Sequence, residues 1–156
     1  MMLTADELAD AEAFFHAQIP LTRAMGLRVV ADAENGFAIE APVALNYNHL
    51  RTAFGGSINA VATLAGYGFL WLELRGSDAH VVVAESSMRF LRPIRETIRA
   101  VCVRPSAEEL AQFRAKLSAK GTAGIRLQVR VEEEGAVAAQ LNGLFVTKEG
   151  ERPATH

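Results

Sequence analysis

Residues 52–72 read TAFGGSINAVATLAGYGFLWL and contain no charged side chain. The stretch is long enough to span a bilayer, which needs about 20 predominantly apolar residues. Two glycines and two polar residues interrupt its first part, at positions 55–59, so that residues 60–72 form the apolar part. A helix that is apolar on every side lies either in a membrane or inside a protein. The interruptions favour a buried central helix, and we expect no membrane span.

Two alternating segments before this helix predict a β-hairpin. Apolar residues occupy every second position over residues 27–31 and again over residues 37–45, which is the pattern of half-buried strands. Between them lies Asn35-Gly36, the strongest short-range signal for a hairpin turn. We therefore expect two paired strands, the second of which continues as far as Leu45.

Four further strands and a helix are predicted after the central helix. The apolar pattern indicates strands over residues 81–91, 97–104, 125–131 and 137–147. Ser106 and Glu109 form a capping box, in which Ser is followed three residues later by Glu. Gly121 suits the C-cap of the helix that begins there.

Another capping box, Thr4 with Glu7, begins an N-terminal helix that should end near residue 17. The chain then has a helix, two strands, the central helix, and four strands with a short helix inserted. One face of a six-stranded antiparallel sheet can wrap a single apolar helix, which is an α+β arrangement. We predict one domain over residues 1–148, with the N-terminal helix within residues 1–20, and a flexible tail over residues 149–156.

The composition and the motifs exclude several classes of function. The chain has 156 residues, of which 50% are hydrophobic and 22% charged, with a net charge of -2. These values exclude a disordered chain and argue against a nucleic-acid partner, which usually binds a strongly basic domain. Cys102 is the only cysteine, so neither an intrachain disulfide nor a cysteine-based zinc site can form. The four histidines lack metal-ligand spacing, and the N-terminus lacks signal-peptide features, so we expect a cytoplasmic protein without metal or cofactor.

The segment before the central helix carries the most specific signal. Residues 46–58 read NYNHLRTAFGGSI. With the order of elements, this segment resembles the hotdog fold, in which a curved antiparallel sheet wraps a central helix. The pattern Asn48-x-x-x-Thr52-x-x-Gly55-Gly56 is similar to that of acyl-CoA thioesterases of this superfamily. The resemblance is closer to the thioesterase family typified by the C-terminal domain of YiiD proteins, and it covers residues 27–148.

The resemblance implies hydrolysis of an acyl thioester, carried by coenzyme A or by an acyl-carrier protein. It also implies a homodimer or a dimer of dimers, because a single hotdog domain leaves a strand edge and a cleft open. Two other functions on this fold stay open. One is a hydratase or dehydratase, which usually needs a positioned histidine. The other is a module that binds acyl-CoA without catalysis.

The glycine pair has a chemical interpretation of its own. A helix N-terminus has unpaired amides and about half a positive charge, and glycine allows a ligand carbonyl to approach closely. The amide of Gly56, next to Gly55, could therefore polarise a thioester carbonyl and hold the oxyanion of a tetrahedral intermediate. The alternative is that the two glycines only allow tight packing of helix on sheet.

Two further positions are candidates for binding the nucleophilic water. Asn48 matches an asparagine that helps to orient this water in related thioesterases, although it could instead stabilise a turn. Thr63 lies two helical turns after Gly56, on the same face and about 10 Å along the axis. Many related enzymes have a carboxylate there. A threonine could orient a water but could not act as a base without activation, and its alternative is a hydrogen bond to its own helix backbone.

The remaining candidates are more weakly indicated. Ser57 is either a catalytic residue or a helix cap, and His49 is a possible base or binding residue. Arg89 and Arg92 are candidates for the phosphates of coenzyme A, since arginine binds phosphate through two parallel hydrogen bonds; Arg51 and Arg95 are further candidates, and all four could be surface residues. Glu85 could supply a carboxylate to a facing subunit, or could form a structural pair with an arginine.

Overall fold

A computed structural model describes residues 2–150 of the chain. Its elements are α1 (Ala5–Gln18), α2 (Leu21–Ala24), β1 (Arg28–Asp32), β2 (Gly36–Pro42), a 3-10 turn (Val43–Leu45), α3 (Gly55–Glu73), β3 (His80–Phe90), β4 (Thr97–Cys102), α4 (Ala107–Lys120), β5 (Thr122–Glu133) and β6 (Ala136–Lys148). Most of the predicted flexible tail, residues 151–156, lies outside the described residues.

The strands form one six-stranded sheet in the order β1-β2-β4-β5-β6-β3, and each neighbouring pair is antiparallel. Helix α3 lies along one face of this sheet and contacts β2, β3, β4, β5 and β6. The predicted α+β arrangement, with a curved sheet wrapped around the central helix, is confirmed. Because five strands contact the helix, most of its sides are apolar.

Packing against the sheet explains the composition of α3. Its buried residues are Ile58, Val61, Ala62, Leu64, Ala65, Gly66, Gly68, Phe69, Leu70 and Leu72. A Cβ atom on Gly66 would lie 2.5 Å from the ring of Phe145 on β6, so glycine is required for this close approach. Within residues 2–150, none of the helices is long and apolar enough to cross a membrane.

The two predicted capping boxes are present. Thr4 accepts a hydrogen bond from the amide of Glu7 while the Glu7 carboxylate accepts one from the Thr4 amide, and Ser106 and Glu109 do the same at α4. Helix α4 ends at Gly121, which has a left-handed φ of 71°. Local sequence chemistry therefore determines where these helices begin and where α4 ends.

The second predicted strand is longer than the observed one, and the predicted strand over residues 97–104 ends at Cys102. The alternation of apolar residues continues to Leu45, but β2 ends at Pro42 and residues 43–45 form a 3-10 turn. The buried side-chain amide of Asn46 donates to the carbonyls of Pro42 and Met25. These tertiary hydrogen bonds bend the chain where the alternating pattern would extend it.

The two edges of the sheet differ in their exposure. Helix α1 covers the edge at β1, where a Glu12 oxygen accepts from the amide of Val29 at 2.9 Å and His16 Nε2 lies 2.9 Å from the carbonyl oxygen of Leu27. At the other edge, most of β3 is exposed, including Val82. An uncovered edge strand offers unpaired amides and carbonyls to another strand.

Candidate functional site

Helix α3 begins without a side-chain cap. Its N-cap residue is Phe54, which makes no capping hydrogen bond, so the alternative of Ser57 as the cap is wrong. Ile58 is the first residue whose amide donates within this turn, to the carbonyl of Phe54 at 3.0 Å. Over residues 2–150, no hydrogen bond engages the amides of Gly55, Gly56 or Ser57. These donors are available to an acceptor from outside the chain.

A tight loop leads into this helix. Tyr47 pairs with Ala53 in an isolated β-bridge, and the amide of Asn48 donates to the carbonyl of Thr52 at 2.8 Å. Arg51 at the tip has a φ of 63°, and its guanidinium lies 4.4 Å from the centre of the Tyr47 ring. The Phe54 amide then donates to the carbonyl of residue 46 at 2.7 Å. The loop is thus held at both ends beside the start of α3.

The side chain of Asn48 holds this loop together. Its Oδ1 accepts from the amides of Leu50 at 2.9 Å and Thr52 at 3.2 Å, and from the Thr52 hydroxyl at 3.3 Å. Its Nδ2 lies 3.2 Å from Thr52 Oγ1 and 3.5 Å from the carbonyl oxygen of Ala53. The alternative role of Asn48, stabilisation of the turn, is therefore observed. A second role toward a water stays a prediction.

Two aromatic rings flank the glycine pair. A Cβ on Gly56 would lie 2.4 Å from Cε2 of Phe54, and one on Gly55 would lie 3.6 Å from the ring of Phe90 on β3. Both rings are about half exposed. The free amides therefore lie beside two exposed aromatic rings.

One side of the first half of α3 is only partly buried, whereas other residues of this half, such as Ile58, Val61 and Ala62, are buried. We call this side the open stripe and define it as Gly56, Asn59, Ala60 and Thr63. Thr63 lies on the same face as Gly56, as predicted from the spacing. The Thr63 hydroxyl donates to Asn59 Oδ1 at 3.3 Å, whereas the sequence suggested either a water or the helix backbone as its partner.

Farther along the same side of α3, the N-terminal helix α1 packs against it. Phe14 of α1 stacks on Trp71 with the ring centres 4.8 Å apart and lies 6.5 Å from Tyr67. The open part of the helix is therefore limited to its first turns, next to the free amides.

Two carboxylates that follow the glycine pair in sequence, Glu73 and Glu85, do not lie beside the free amides. Glu85 pairs in register with Leu144, whereas the neighbouring Phe145 packs against α3. Since adjacent strand residues point to opposite faces, Glu85 lies on the outer face of the sheet, where it is 3.5 Å from Arg126. This is the predicted structural pair with an arginine. A contact of Glu85 with a facing subunit stays a prediction.

Glu73, at the far end of α3, is held in a separate ion-pair cluster. Its carboxylate lies 2.7 Å from Arg104 and 2.6 Å from Arg114, and its side chain is only 8% exposed. Arg114 also donates to the main-chain carbonyl of Glu73 at 3.1 Å. These bonds attach α4 to the C-terminus of α3, away from the free amides.

The predicted phosphate-binding arginines are exposed, as is His49 in the loop. Arg89 lies on the outer face of the sheet, opposite Gln140. Arg92 lines a surface cavity of about 540 Å³ with Arg95, and Glu96, Glu133 and Glu134 line the same cavity. Glutamates offset the positive charge there, so this cavity is not strongly attractive to phosphate.

The single cysteine has no catalytic character. Cys102 is buried in the core, and burial raises the pKa of its thiol to about 12. A thiol acts as a nucleophile only as the thiolate. Within residues 2–150, no three histidine, cysteine, aspartate or glutamate side chains come together as a possible metal site.

Three residues in or around the site were not singled out from the sequence. Asn46 fixes the approach of the loop, Phe90 comes from a distant strand, and Asn59 forms the pair with Thr63. The i, i+4 spacing of Asn59 and Thr63 was the one signal available, because residues four apart face each other on a helix. The other two depend on tertiary contacts.

Known proteins share this architecture. A putative thioesterase from Shewanella oneidensis is 26% identical to the chain, with a TM-score of 0.82 over 93% of this chain and 99% of that one. A probable thioesterase from Pseudomonas aeruginosa is 25% identical, with a TM-score of 0.78 over 96% and 99%. A protein of unknown function from Chlorobaculum tepidum is 29% identical, with a TM-score of 0.83 over 91% and 94%.

The family described as putative thioesterase (yiiD_Cterm) matches residues 8–149. This match contains the loop, the glycine pair, the open stripe and all six strands. Together with the neighbouring structures it identifies the architecture as the hotdog fold. The chain therefore belongs to the putative thioesterase family of the YiiD C-terminal domain.

Proposed function

We propose that this protein hydrolyses an acyl thioester, with the acyl group carried by coenzyme A or by an acyl-carrier protein. The observation that carries the proposal is the uncapped N-terminus of α3, where the amides of Gly56 and Ser57 are free beside two exposed aromatic rings. Membership of a thioesterase family supports the same reaction. We also propose a cytoplasmic location, which suits a buried, unpaired Cys102.

The free amides activate the thioester carbonyl for attack by polarising it. The thioester carbonyl oxygen accepts a hydrogen bond from the Gly56 amide, and the helix dipole favours the negative charge that develops there. A water oxygen forms the new C–O bond while the carbonyl electron pair moves onto the oxygen. The carbonyl then re-forms, the C–S bond breaks, and the thiolate takes up the proton that the water has lost. The products are a carboxylic acid and a thiol.

The water has to be oriented without a carboxylate on the open stripe. Thr63 can accept a hydrogen bond from this water, and the Asn48 amide is a second candidate for contact with it. Neither side chain takes the proton as a base at neutral pH. We therefore expect a slower enzyme than one with a carboxylate in place of Thr63, because a positioned base typically contributes about 100-fold or more.

We further propose that the protein works as a homodimer or a dimer of dimers, with the two β3 strands side by side. Val82 and Phe90 are more than half exposed on this edge, while α1 covers the edge at β1. Analytical ultracentrifugation should give at least twice the chain mass of 16.8 kDa. A monomer at micromolar concentration would contradict the proposed dimer.

The missing carboxylate favours one other function, binding of acyl-CoA without turnover. A thiol-release assay across acyl-CoA chain lengths, repeated with acyl-carrier protein thioesters, separates the possibilities. Release from at least one substrate is expected. Tight binding without release from any substrate would reject the hydrolase and favour the binding module. Loss of an enoyl thioester without thiol release would instead identify a hydratase, for which exposed His49 is the available histidine.

A further inference from the structure

The hydrogen bond between Thr63 and Asn59 is unusual for a threonine in the middle of a helix. Such a hydroxyl commonly donates to the backbone carbonyl one turn earlier. Here it donates to Asn59 Oδ1 at 3.3 Å, and both side chains are half-buried on a predominantly apolar helix. Asparagine has a lower helix propensity than alanine or leucine, so its presence at this position has a local cost.

The direction of this bond determines what Thr63 can offer to another molecule. A hydroxyl has one proton to donate and two lone pairs to accept with. Since the proton is directed to Asn59, the oxygen of Thr63 presents only acceptor positions to the open stripe. An acceptor binds a water through one of its protons and leaves the lone pairs of the water free for attack.

The position of the pair agrees with such a role. Asn59 lies one turn beyond Gly56 and Thr63 lies two turns beyond it, on the less buried side of α3. At a rise of 1.5 Å per residue these positions are about 5 and 10 Å along the axis from the proposed oxyanion donor. No ionised group is paired with either side chain within the described residues.

We infer that Asn59 is a positioning residue, which fixes the Thr63 hydroxyl as a hydrogen-bond acceptor for the hydrolytic water. This inference rests on the proposed thioesterase function and adds a residue to it. Asn59 acts through Thr63, so removal of either side chain should have the same consequence. Without Asn59, the Thr63 hydroxyl donates to the backbone carbonyl one turn earlier or to the water itself. Its acceptor positions are then directed differently, and the water presents its lone pairs to the substrate less often.

The test is a double-mutant cycle in the full chain. Asn59→Leu and Thr63→Val each preserve side-chain shape and should each lower kcat about tenfold with KM changed less than about twofold. The double variant should be no slower than either single variant by more than about twofold, because coupled residues are not additive. Asn59→Asp retains an acceptor for the Thr63 hydroxyl and should recover most of the loss seen with Asn59→Leu. This recovery should be absent when Asn59→Asp is combined with Thr63→Val, whereas an aspartate acting as a base would keep it.

Helix α4 offers a matched control. Gln112 donates to Glu108 at 3.4 Å with the same i, i+4 spacing on an exposed surface, and Gln112→Leu should leave kcat and KM unchanged. Circular dichroism melting checks that each variant is folded, and Asn59→Ala replaces Asn59→Leu if the latter is not.

The outcomes separate the inference from the function on which it rests. Losses that multiply in the double variant, or an Asn59→Asp variant as slow as Asn59→Leu, would overturn the role of Asn59 while wild-type hydrolysis stands. Wild-type protein that releases no thiol from any acyl-CoA or acyl-carrier protein substrate would overturn both. A non-additive loss of kcat with recovery in Asn59→Asp supports the inference.

Discussion

The ring of Phe54 lies directly against Gly56. A Cβ atom at position 56 would be 2.4 Å from Cε2 and 2.9 Å from Cζ of that ring, whereas a Cβ at Gly55 would be at an ordinary distance of 3.6 Å from Phe90. The two glycines are therefore not equivalent. Only at Gly56 does the absence of a side chain make room both for the ring and for a ligand at the free amide.

The first prediction follows from this difference. Gly56→Ala should lower kcat/KM for an acyl-CoA substrate by about 10- to 100-fold, because the methyl group displaces the Phe54 ring and hinders the carbonyl at the oxyanion donor. Gly55→Ala should cause a smaller loss. Steady-state thiol release on both variants measures the contrast.

A double variant separates the ring from the methyl group. Phe54→Ala with Gly56→Ala removes the clash, and it should be more active than Gly56→Ala alone if displacement of the ring is the main effect. The melting temperatures of these variants should stay close to that of the wild type, since position 56 and the Phe54 ring are exposed. If Gly56→Ala keeps full activity, Gly56 is not the oxyanion donor.

The second prediction concerns Asn48. Asn48→Ala should slow turnover more than tenfold, because the hydrogen bonds that hold residues 48–52 are lost and the loop borders the start of α3. The free energy of unfolding should fall by about 1 kcal/mol, the usual contribution of a side-chain hydrogen bond. Kinetics and urea unfolding of the same preparation give both values.

Asn48→Asp distinguishes positioning of the loop from contact with the water. The aspartate keeps the acceptor for the amides of Leu50 and Thr52 but loses the Nδ2 donor. Stability like that of the wild type with slow turnover would assign the donor to catalysis. Recovery of both would make Asn48 a purely structural residue, and an unchanged rate in Asn48→Ala would exclude Asn48 from the mechanism.

Much of this fold follows from patterns that are local in sequence. Thr4 with Glu7 and Ser106 with Glu109 identify the two helix starts because a capping box uses residues within a single turn. The uncharged residues 55–72 of α3 indicate the burial of this helix, because a helix that is apolar on most sides must be covered on most sides. The end of the second strand could not be predicted from the sequence, because the turn after Pro42 depends on a hydrogen bond from Asn46 to the distant Met25.

The part of the site that depends on local helical spacing could also be predicted from the sequence. Gly56 and Thr63 were assigned to one face from helical spacing alone, and the structure places them there. The partner of Thr63, the ring beside Gly55 and the outer position of Glu85 depend on side-chain direction and strand register. Glu85 follows a register shift in β3 between Val83 and Glu85, which the alternating pattern does not reveal.

The third prediction compares two carboxylates. Glu73→Gln should lower the free energy of unfolding by about 1–3 kcal/mol, because the buried carboxylate joins Arg104 and Arg114 at short distances and charged hydrogen bonds contribute more than neutral ones. The arginines are more than 40% exposed, and water can solvate them after the change, so the loss stays below that of a fully buried pair.

Glu85→Gln is the matched control for Glu73→Gln. Its ion pair with Arg126 is 3.5 Å long and both side chains are more than 65% exposed, so its effect on unfolding should be below about 0.5 kcal/mol. Equal effects of the two variants would contradict the structural role of Glu73. The thiol-release rate of Glu85→Gln also tests whether this carboxylate serves a facing subunit, because a large loss with intact stability would support that role.

The fourth prediction concerns the dependence of stability on pH. Burial raises the pKa of the Cys102 thiol from its ordinary value of 9.0 to about 12, so the folded protein holds this proton more tightly than the unfolded chain. The resulting stability is complete below pH 9 and is lost as the pH rises from about 9 to 12.

Other groups titrate in the same range, and the Cys102→Ala variant removes the contribution of the thiol from the comparison. Between pH 8 and pH 10.5 the wild type should lose about 1–2 kcal/mol more of its unfolding free energy than Cys102→Ala does, at about 1.4 kcal/mol per pH unit for one proton. Urea unfolding at the two pH values measures this difference, and parallel losses in the two proteins would show that the Cys102 thiol ionises as readily in the fold as in the unfolded chain.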